Sequence, residues 1–326
     1  MGGALQEKIY NTCSVRRFAL SLQKDMEKKV TIAGSCVATI GFFDGVHKGH
    51  LCLIEQLREV AQEHGMKSLI VTFDRHPRTI VSPDHVPTLL TMLEEKEKLL
   101  RETGVDKIAV LPFTQELSKL TAREFMEQIL WKELNVKILV LGYDHAFGHG
   151  GGSLNDYICW GKEIGIEIVR AHEFETLMVS SSKCRRLLEQ GNVKGATEML
   201  GRWYSLGGEV IRGFHVGHEL GFPTANMQPE AEKLVPAHGV YAVWCVLEDS
   251  TRLGGMLNIG NRPTIGNGEA MSIEVNLLDY DGDLYGHRIT VEFVERLRDE
   301  RHFFSREELV QQLAQDEATT RQILAR

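Results

Sequence analysis

The stretch that decides the fold is Cys36-Val37-Ala38-Thr39-Ile40-Gly41-Phe42-Phe43-Asp44-Gly45-Val46-His47-Lys48-Gly49-His50. Cys36 to Ile40 predicts a buried strand. His50 to His64 predicts a helix, because apolar residues recur there at three- and four-residue steps. The glycines between them let the backbone approach a ligand closely, and a helix N-terminus presents N–H groups that lack a partner within the helix. The junction therefore predicts an anion site.

Two histidines lie at this junction. His47 and His50 are three residues apart, so they share a face in the first helical turn. Two imidazoles beside the N–H groups can hold the α-phosphate of a nucleotide as charge builds on it during displacement. The alternative is a tight turn that carries two surface histidines.

Strand-like and helix-like segments alternate from about Val30 to Val179. This order is typical of a parallel sheet covered by helices on both faces, in which ligands bind at the carboxyl ends of the strands. The predicted strands are Cys36 to Ile40, Ser68 to Phe73, Lys107 to Leu111, Lys137 to Leu141 and Ile166 to Ala171. The predicted helices are His50 to His64, Leu93 to Gly104, Ala122 to Leu134 and Ser153 to Ile164.

The pattern changes near Ser180. Ser182 to Leu200 predicts one or two helices broken at Gly191, and Ser205 to Leu297 consists of short strand-like runs separated by turn residues. Their spacing predicts a small antiparallel barrel or sandwich. Ser305 to Leu324 predicts a closing helix that begins with a capping box formed by Ser305 and Glu308.

Length, composition and charge narrow the class of protein. A chain of 326 residues predicts two domains, and its 43% hydrophobic and 25% charged residues are typical of a globular chain. A net charge of -8 gives no general attraction to nucleic acid. The six scattered cysteines predict reduced thiols, and the lack of a long apolar run or secretory signal predicts a cytoplasmic protein without a membrane partner.

The β-rich part contains a second group of polar residues. Gly221 and Pro223 constrain a segment in which the hydroxyl of Thr224 and the amide of Asn226 can both point at one hard cation, such as the Mg²⁺ of Mg-ATP. The alternative is a Gly-Pro turn with a satisfied Asn. Glu274 lies on the predicted strand Ser272 to Leu277, where polar residues alternate with apolar ones. It can act as a general base for a hydroxyl, and the alternative is a solvated carboxylate on the strand.

The first junction closely resembles the H-x-G-H motif of the nucleotidyltransferase superfamily. Its fuller form resembles the G-x-F-D-G-V-H-x-G-H segment of bacterial FMN adenylyltransferases. Three later stretches stand where that family has T-F-D-x-H-P, G-x-D-F-x-F-G and S-S-T-x-I-R: Thr72 to Pro77, Gly142 to Gly148 and Ser180 to Arg185.

This resemblance implies two sets of binding residues, besides the catalytic pair His47 and His50. The implied ATP contacts are Gly41, Phe43, Asp44, Gly45, Gly49, Ser181 and Arg185. The implied flavin contacts are Asp74, His76, Pro77, Asp144 and Phe147. The chain departs from the family at Ser182 and Cys184, where Thr and Ile are usual, and at His149 to Gly152, where basic residues are common.

The β-rich part resembles riboflavin kinases, through Pro223-Thr224-Ala225-Asn226 and its glycine-rich lead-in. The resemblance implies that Glu274 activates the ribityl 5′-hydroxyl and that Gly213, Gly217, Thr224 and Asn226 bind ATP and its metal ion, with Thr224 and Asn226 as the metal ligands. Arg298, in a stretch that also follows the family, is an implied flavin contact.

Together the motifs resemble the bacterial bifunctional riboflavin kinase/FAD synthetases. The implied domains are residues 1–186, an FMN adenylyltransferase with a Rossmann-like parallel sheet, and residues 187–326, a riboflavin kinase with a small β-barrel and closing helix. The implied reactions convert riboflavin to FMN and FMN to FAD, with ATP and Mg²⁺, and a homo-oligomer is an open prediction. One alternative is a monofunctional riboflavin kinase with a degenerate N-terminal domain, and another is a non-catalytic flavin-binding or regulatory protein.

Overall fold

The computed structural model describes residues 34–142, 147–172, 179–212, 222–263 and 269–325, with the backbone alone at 262–263 and 269–270. The chain forms two compact units. Unit 1 comprises the residues up to Pro87 together with Leu93–Met178, and unit 2 comprises Thr88–Met92 together with Val179–Arg326. The helix Ser181–Glu189 spans the boundary predicted after residue 186, and it belongs to unit 2.

Unit 1 contains a five-stranded parallel sheet with the strand order β3-β2-β1-β4-β5. The strands are β1 (Cys36–Ile40), β2 (Lys67–Phe73), β3 (Lys107–Leu111), β4 (Val136–Leu141) and β5 (Glu167–Arg170). The predicted α/β class is therefore confirmed for this half. Because β1 and β2 pair in parallel, with Ile40 opposite Val71, the residues that follow both strands come to the same edge of the sheet.

Helices and turns connect these strands. They are Lys48–Glu63, Arg78–Val81, the 3₁₀ turn Pro83–His85, Leu93–Glu102, Gln115–Lys119, Ala122–Phe125, Met126–Glu133 and Leu154–Ile164. The segment predicted as one helix from Ala122 to Leu134 starts at a capping box formed by Thr121 and Glu124, and from Met126 it continues as a π-helix. The buried residues Met126, Ile129 and Leu130 stand three and four residues apart, as in an α-helix, so this short segment does not reveal the wider i→i+5 turns in its sequence.

The sheet of unit 1 is buried on both faces. Cys36, Ala38 and Ile40 pack into one apolar cluster, and Val37 packs into another on the opposite face. Even Thr39 is fully buried. This double burial explains why β1 reads as a continuous apolar run and does not alternate with polar residues.

Unit 2 contains a closed six-stranded barrel with the strand order β10-β7-β6-β11-β8-β9, and its paired strands are antiparallel. The strands are β6 (Tyr204–Ile211), β7 (Ala225–Pro229), β8 (Gly239–Val246), β9 (Arg252–Pro263), β10 (Glu269–Leu277) and β11 (Arg288–Arg298). Helices Ser181–Glu189 and Val193–Leu200 precede the barrel, and Gly191 separates them as predicted. The predicted β-barrel with a closing helix is confirmed, and that helix is Arg306–Leu324.

The closing helix begins differently from the predicted capping box. The Ser305 hydroxyl accepts a hydrogen bond from the Glu308 backbone N–H at 3.1 Å, as expected. The carboxylate of Glu308 accepts from the backbone N–H of Phe304 at 3.2 Å, one residue before the position that a capping box requires. The bond still satisfies a backbone donor at this helix end.

Candidate functional site

The loop between β1 and the helix Lys48–Glu63 has a strained backbone. Phe43, Gly45 and Val46 have φ values of 56°, 80° and 38°, in the left-handed region that side chains with a Cβ avoid. Val46 is β-branched, so its conformation is costly, and a hydrogen bond from its N–H to the Phe43 carbonyl at 3.1 Å helps to hold it. Such strain is typical of loops that hold a ligand.

His47 and His50 form a stacked pair at this helix N-terminus. Their ring centroids are 3.6 Å apart and the ring planes are inclined by 14°. The Nδ1 atom of His47, which is 6% exposed, accepts a hydrogen bond from the His50 backbone N–H at 3.3 Å. This bond leaves the proton of a neutral His47 on Nε2. The ring of Phe43, 2% exposed, contacts His50 edge-on and supports the pair from the core.

An apolar cavity of about 440 Å³ lies at the carboxyl edge of the sheet in unit 1. Aromatic side chains from several elements line it: Phe42, Phe73, Phe113, Phe125 and Phe147. Gly41, Pro77 and His149 also line it. A cavity of this size and aromatic character suits a planar ring system.

The residues that follow β2 shape this edge. The carboxylate of Asp74 accepts a hydrogen bond from the Phe113 backbone N–H at 2.8 Å, and its own N–H donates to the Leu111 carbonyl at 3.1 Å. Asp74 thus ties the ends of β2 and β3 together. The ring of His76 meets the Phe42 ring nearly at right angles, with 4.8 Å between centroids.

Two predicted ATP contacts lie in unit 2. Ser181 begins the helix Ser181–Glu189, whose N-cap is Ser180, and Arg185 donates from Nε to the Thr88 carbonyl at 2.8 Å. Cys184, which replaces the usual isoleucine of the family motif, is completely buried in the core of unit 2. This departure therefore changes one apolar core residue for another.

In unit 2 the barrel brings the predicted kinase residues together. Glu274 lies opposite Asn226 in the pairing of β10 with β7. Thr224 Oγ1 is 3.5 Å from Glu274 Oε2, and Asn226 is 7% exposed. Asn276 donates from its amide to the Pro223 carbonyl at 2.8 Å, so β10 fixes the segment that carries Thr224.

A cavity of about 280 Å³ opens beside these residues. Its apolar wall includes Phe222, Val240, Met256, Leu257, Phe303, Leu309 and Leu313. Thr224, Glu274 and Arg298 line it, together with Asn276, Glu300 and Asp316. Glu274 and Asn276 of β10 therefore line this cavity, and Asn276 is 8% exposed.

Arg298 is held by the closing helix. Its Nη2 lies 2.8 Å from Asp316 Oδ2 and its Nε lies 3.0 Å from the same oxygen, and Asp316 is 4% exposed. Gln312 donates to the other carboxylate oxygen at 2.9 Å. This network attaches the helix Arg306–Leu324 to the wall of the cavity. The flavin contact assigned to Arg298 stays a prediction.

Sequence reasoning missed several residues of these sites. Asn276 and Asp316 in the barrel cavity were not singled out, although Asn276 shares the polar alternation of Glu274. Lys96 was also missed; it is 2% exposed and lies at the carboxyl edge of the sheet in unit 1. A lysine inside an apolar helical stripe would have been the signal for it. The predicted contacts Asp144, Gly213 and Gly217 lie outside the described residues.

In the described parts of the chain, no helix is both long enough and apolar enough to cross a membrane. Two family models match the sequence: FAD synthetase over residues 29–183 and riboflavin kinase over residues 200–324.

Relatives of known name match over most of the chain. The bifunctional riboflavin kinase/FMN adenylyltransferase of Escherichia coli (strain K12) is 37% identical over 88% of this chain and 92% of its own length. The protein of the same name from Pseudomonas fluorescens is 38% identical over 89% of this chain and 93% of its own. A crystal structure described as a macrolide-efflux protein from Streptococcus pneumoniae has a TM-score of 0.82 and 32% identity, and covers 90% of this chain and 96% of that one.

Both family models match the chain, and relatives that match over most of it are named as bifunctional, which supports the bifunctional interpretation over a riboflavin kinase with a degenerate N-terminal domain. The sheet unit with its stacked histidines and the barrel unit with Glu274 correspond to these two models in order along the chain. The chain belongs to the bifunctional riboflavin kinase/FMN adenylyltransferase family, and it is a transferase with an FAD synthetase domain and a riboflavin kinase domain.

Proposed function

We propose that the barrel cavity binds riboflavin and that Glu274 is the general base of its phosphorylation. The proton of the ribityl 5′-hydroxyl passes to the Glu274 carboxylate, and the hydroxyl oxygen bonds to the γ-phosphorus of ATP. The bond from that phosphorus to the bridging oxygen breaks, and ADP leaves. The observation that carries this role is the position of Glu274, in the cavity wall and 3.5 Å from the Thr224 hydroxyl.

Thr224 and Asn226 are the proposed Mg²⁺ ligands. Both supply neutral oxygen donors, and the pairing of β7 with β10 places the Glu274 carboxylate beside them, so the donor set suits a hard cation. Mg²⁺ bound there would offset the negative charge of the ATP polyphosphate. Within the described ranges, no group of three His, Cys, Asp or Glu side chains could hold a metal ion. Magnesium usually completes its shell with water and substrate phosphates, so two protein ligands are sufficient.

We propose that the cavity in unit 1 binds FMN for adenylylation. An oxygen of the FMN phosphate bonds to the α-phosphorus of ATP, and pyrophosphate leaves. The aromatic walls of the cavity suit the isoalloxazine ring. His47, His50 and the N–H groups of the helix Lys48–Glu63 stabilise the charge that develops on the α-phosphate. Ser181 and Arg185 are proposed as further ATP contacts on the resemblance of their segment.

Reciprocal variants test the two sites in one chain. Glu274→Gln should lower the formation of FMN from riboflavin by about a hundredfold or more, because a general base contributes about that much. It should leave the formation of FAD from supplied FMN unchanged. His50→Gln should give the opposite result. Chromatography of riboflavin, FMN and FAD measures both, and an equal loss of both activities in either variant would contradict the assignment.

Other predictions made from the sequence stay predictions. They are a cytoplasmic location, the absence of nucleic-acid and membrane partners, and a homo-oligomeric state.

A further inference from the structure

Lys96 is buried at the edge of the sheet where the cavity of unit 1 opens. It lies on the helix Leu93–Glu102 and is 2% exposed. Its Nζ donates a hydrogen bond to the carbonyl oxygen of Phe73, the last residue of β2, at 2.8 Å. The same nitrogen lies 4.0 Å from the centroid of the Phe42 ring. Both aromatic residues line the cavity.

Phe42 is therefore held from several sides. Its backbone carbonyl accepts a hydrogen bond from the Thr72 hydroxyl at 3.1 Å. The ring of His76 contacts the Phe42 ring at 72°, and the ammonium of Lys96 lies over its face. A desolvated cation over an aromatic face is a comparatively strong contact, and it fixes the plane of the ring. Lys96 thus determines how one wall of the cavity is oriented.

The charge of Lys96 also faces acidic groups on three elements. Asp44 follows β1, Asp74 follows β2 and Glu97 is its neighbour on the helix. Burial lowers the pKa of the Lys96 ammonium to about 8, and the attraction of these carboxylates limits that fall. Lys96 is consequently cationic below about pH 8 and loses its charge as the pH rises through this value.

We infer that Lys96 is a positioning residue for FMN: its ammonium fixes Phe42 and the end of β2, and offsets the carboxylates of Asp44 and Asp74 beside the incoming phosphates. The inference rests on the proposed use of this cavity for FMN. It assigns to Lys96 no bond to the reacting atoms. The effect should therefore appear in the KM for FMN more than in kcat.

The first test is Lys96→Met, which keeps the length of the side chain and removes the charge. The KM for FMN in FAD formation should rise about tenfold, the size expected when a desolvated cation–π contact is lost. An unchanged kcat for FAD formation reports that unit 1 of the variant is folded. Riboflavin phosphorylation, which is assigned to unit 2, should not change. Lys233→Met is the matched control. Lys233 is also buried in contact with a carbonyl and an aromatic ring, but it lies in unit 2, so its loss should leave the KM for FMN unchanged.

The second test is the pH profile of kcat/KM for FMN. The wild type should lose activity as the pH rises through about 8, where Lys96 loses its proton. Lys96→Arg keeps a cation that does not titrate in this range, so it should retain the activity of the wild type near neutral pH and abolish the alkaline fall. This rescue depends on the charge and would not follow from a role in packing alone.

The outcomes distinguish the proposed function of unit 1 from the positioning role of Lys96. If the wild type forms no FAD from FMN, the proposed function of unit 1 fails. If the wild type forms FAD and Lys96→Met has the same KM for FMN, the positioning role of Lys96 is wrong while the function stands. An alkaline fall that is the same in Lys96→Arg and the wild type would also overturn the inference.

Discussion

Replacement of Asp316 by asparagine should destabilise the barrel unit, because it removes the counter-charge of a largely buried arginine. The side chains of Arg298 and Asp316 are only 17% and 5% exposed, and Arg298 donates to the carboxylate through Nε and Nη2. Removing one partner of a buried pair costs about 3 to 5 kcal/mol. Since Arg298 retains a bond to the Asp299 carbonyl at 3.0 Å, the lower end of the range applies.

A loss of about 3 kcal/mol changes the unfolding equilibrium about a hundredfold. If the free energy of unfolding falls by about 2 kcal/mol per molar urea, the urea concentration at the midpoint of unfolding should fall by about 1.5 M. Amide hydrogen exchange of the barrel strand Gly239–Val246, followed at increasing urea concentration, measures the unfolding of unit 2 alone. The KM for riboflavin should rise as well, because Leu309 and Leu313 of the same helix line the cavity.

The closing helix provides a matched control. Arg321 makes a similar two-pronged contact with Asp279, but these side chains are 44% and 74% exposed. Asp279→Asn should therefore leave the urea midpoint almost unchanged, since exposed pairs contribute little. If Asp316→Asn also unfolds at the wild-type midpoint, burial does not make the first pair stronger and the reasoning is refuted.

Two further predictions concern unit 1. The hydrogen bond from Lys67 lowers the pKa of the Asp106 carboxyl to about 2, with help from Ser68. Because the side chain is partly exposed, Asp106→Asn should cost only about 1 kcal/mol of unfolding free energy at pH 7. This deficit should shrink as the pH falls from about 4 to 2, and a deficit that is constant over that range would contradict the ionic origin. Gly161→Ala should destabilise by about 1 to 3 kcal/mol in urea unfolding despite the helical preference of alanine. A Cβ there would lie 2.4 Å from the Ile166 carbonyl oxygen, so unchanged or higher stability would refute the predicted clash.

Much of the fold could be predicted because it depends on local pattern. The strand Cys36–Ile40 was predicted with its observed bounds, and the other strands of the sheet were predicted within two residues at each end. The break at Gly191 was also readable, because the left-handed φ of 74° that ends the helix favours glycine. The π-helix Met126–Glu133 was not predicted, since its buried residues Met126, Ile129 and Leu130 have the three- and four-residue spacing of an α-helix.

Some site residues could also be predicted from local spacing, and others could not. His47 and His50 lie on one helical turn, so their proximity follows from spacing, and Thr224 and Asn226 lie two apart on an extended segment. Glu274 was predicted to lie on a strand. It lines a cavity only because the barrel closes, which the strand pattern does not specify. Asn276 was missed for the same reason.

By itself, the sequence determined the order of strands and helices, the change from a parallel sheet to a barrel, and the motifs that place this chain in its family. These follow from periods and spacings within short segments. Only the tertiary structure decided that Lys96 lies over Phe42, that Arg298 binds Asp316 of the closing helix, and that two polar residues of β10 line a cavity. The physical reason is that burial and the pairing of charges depend on contacts between residues distant in sequence, which no local pattern specifies.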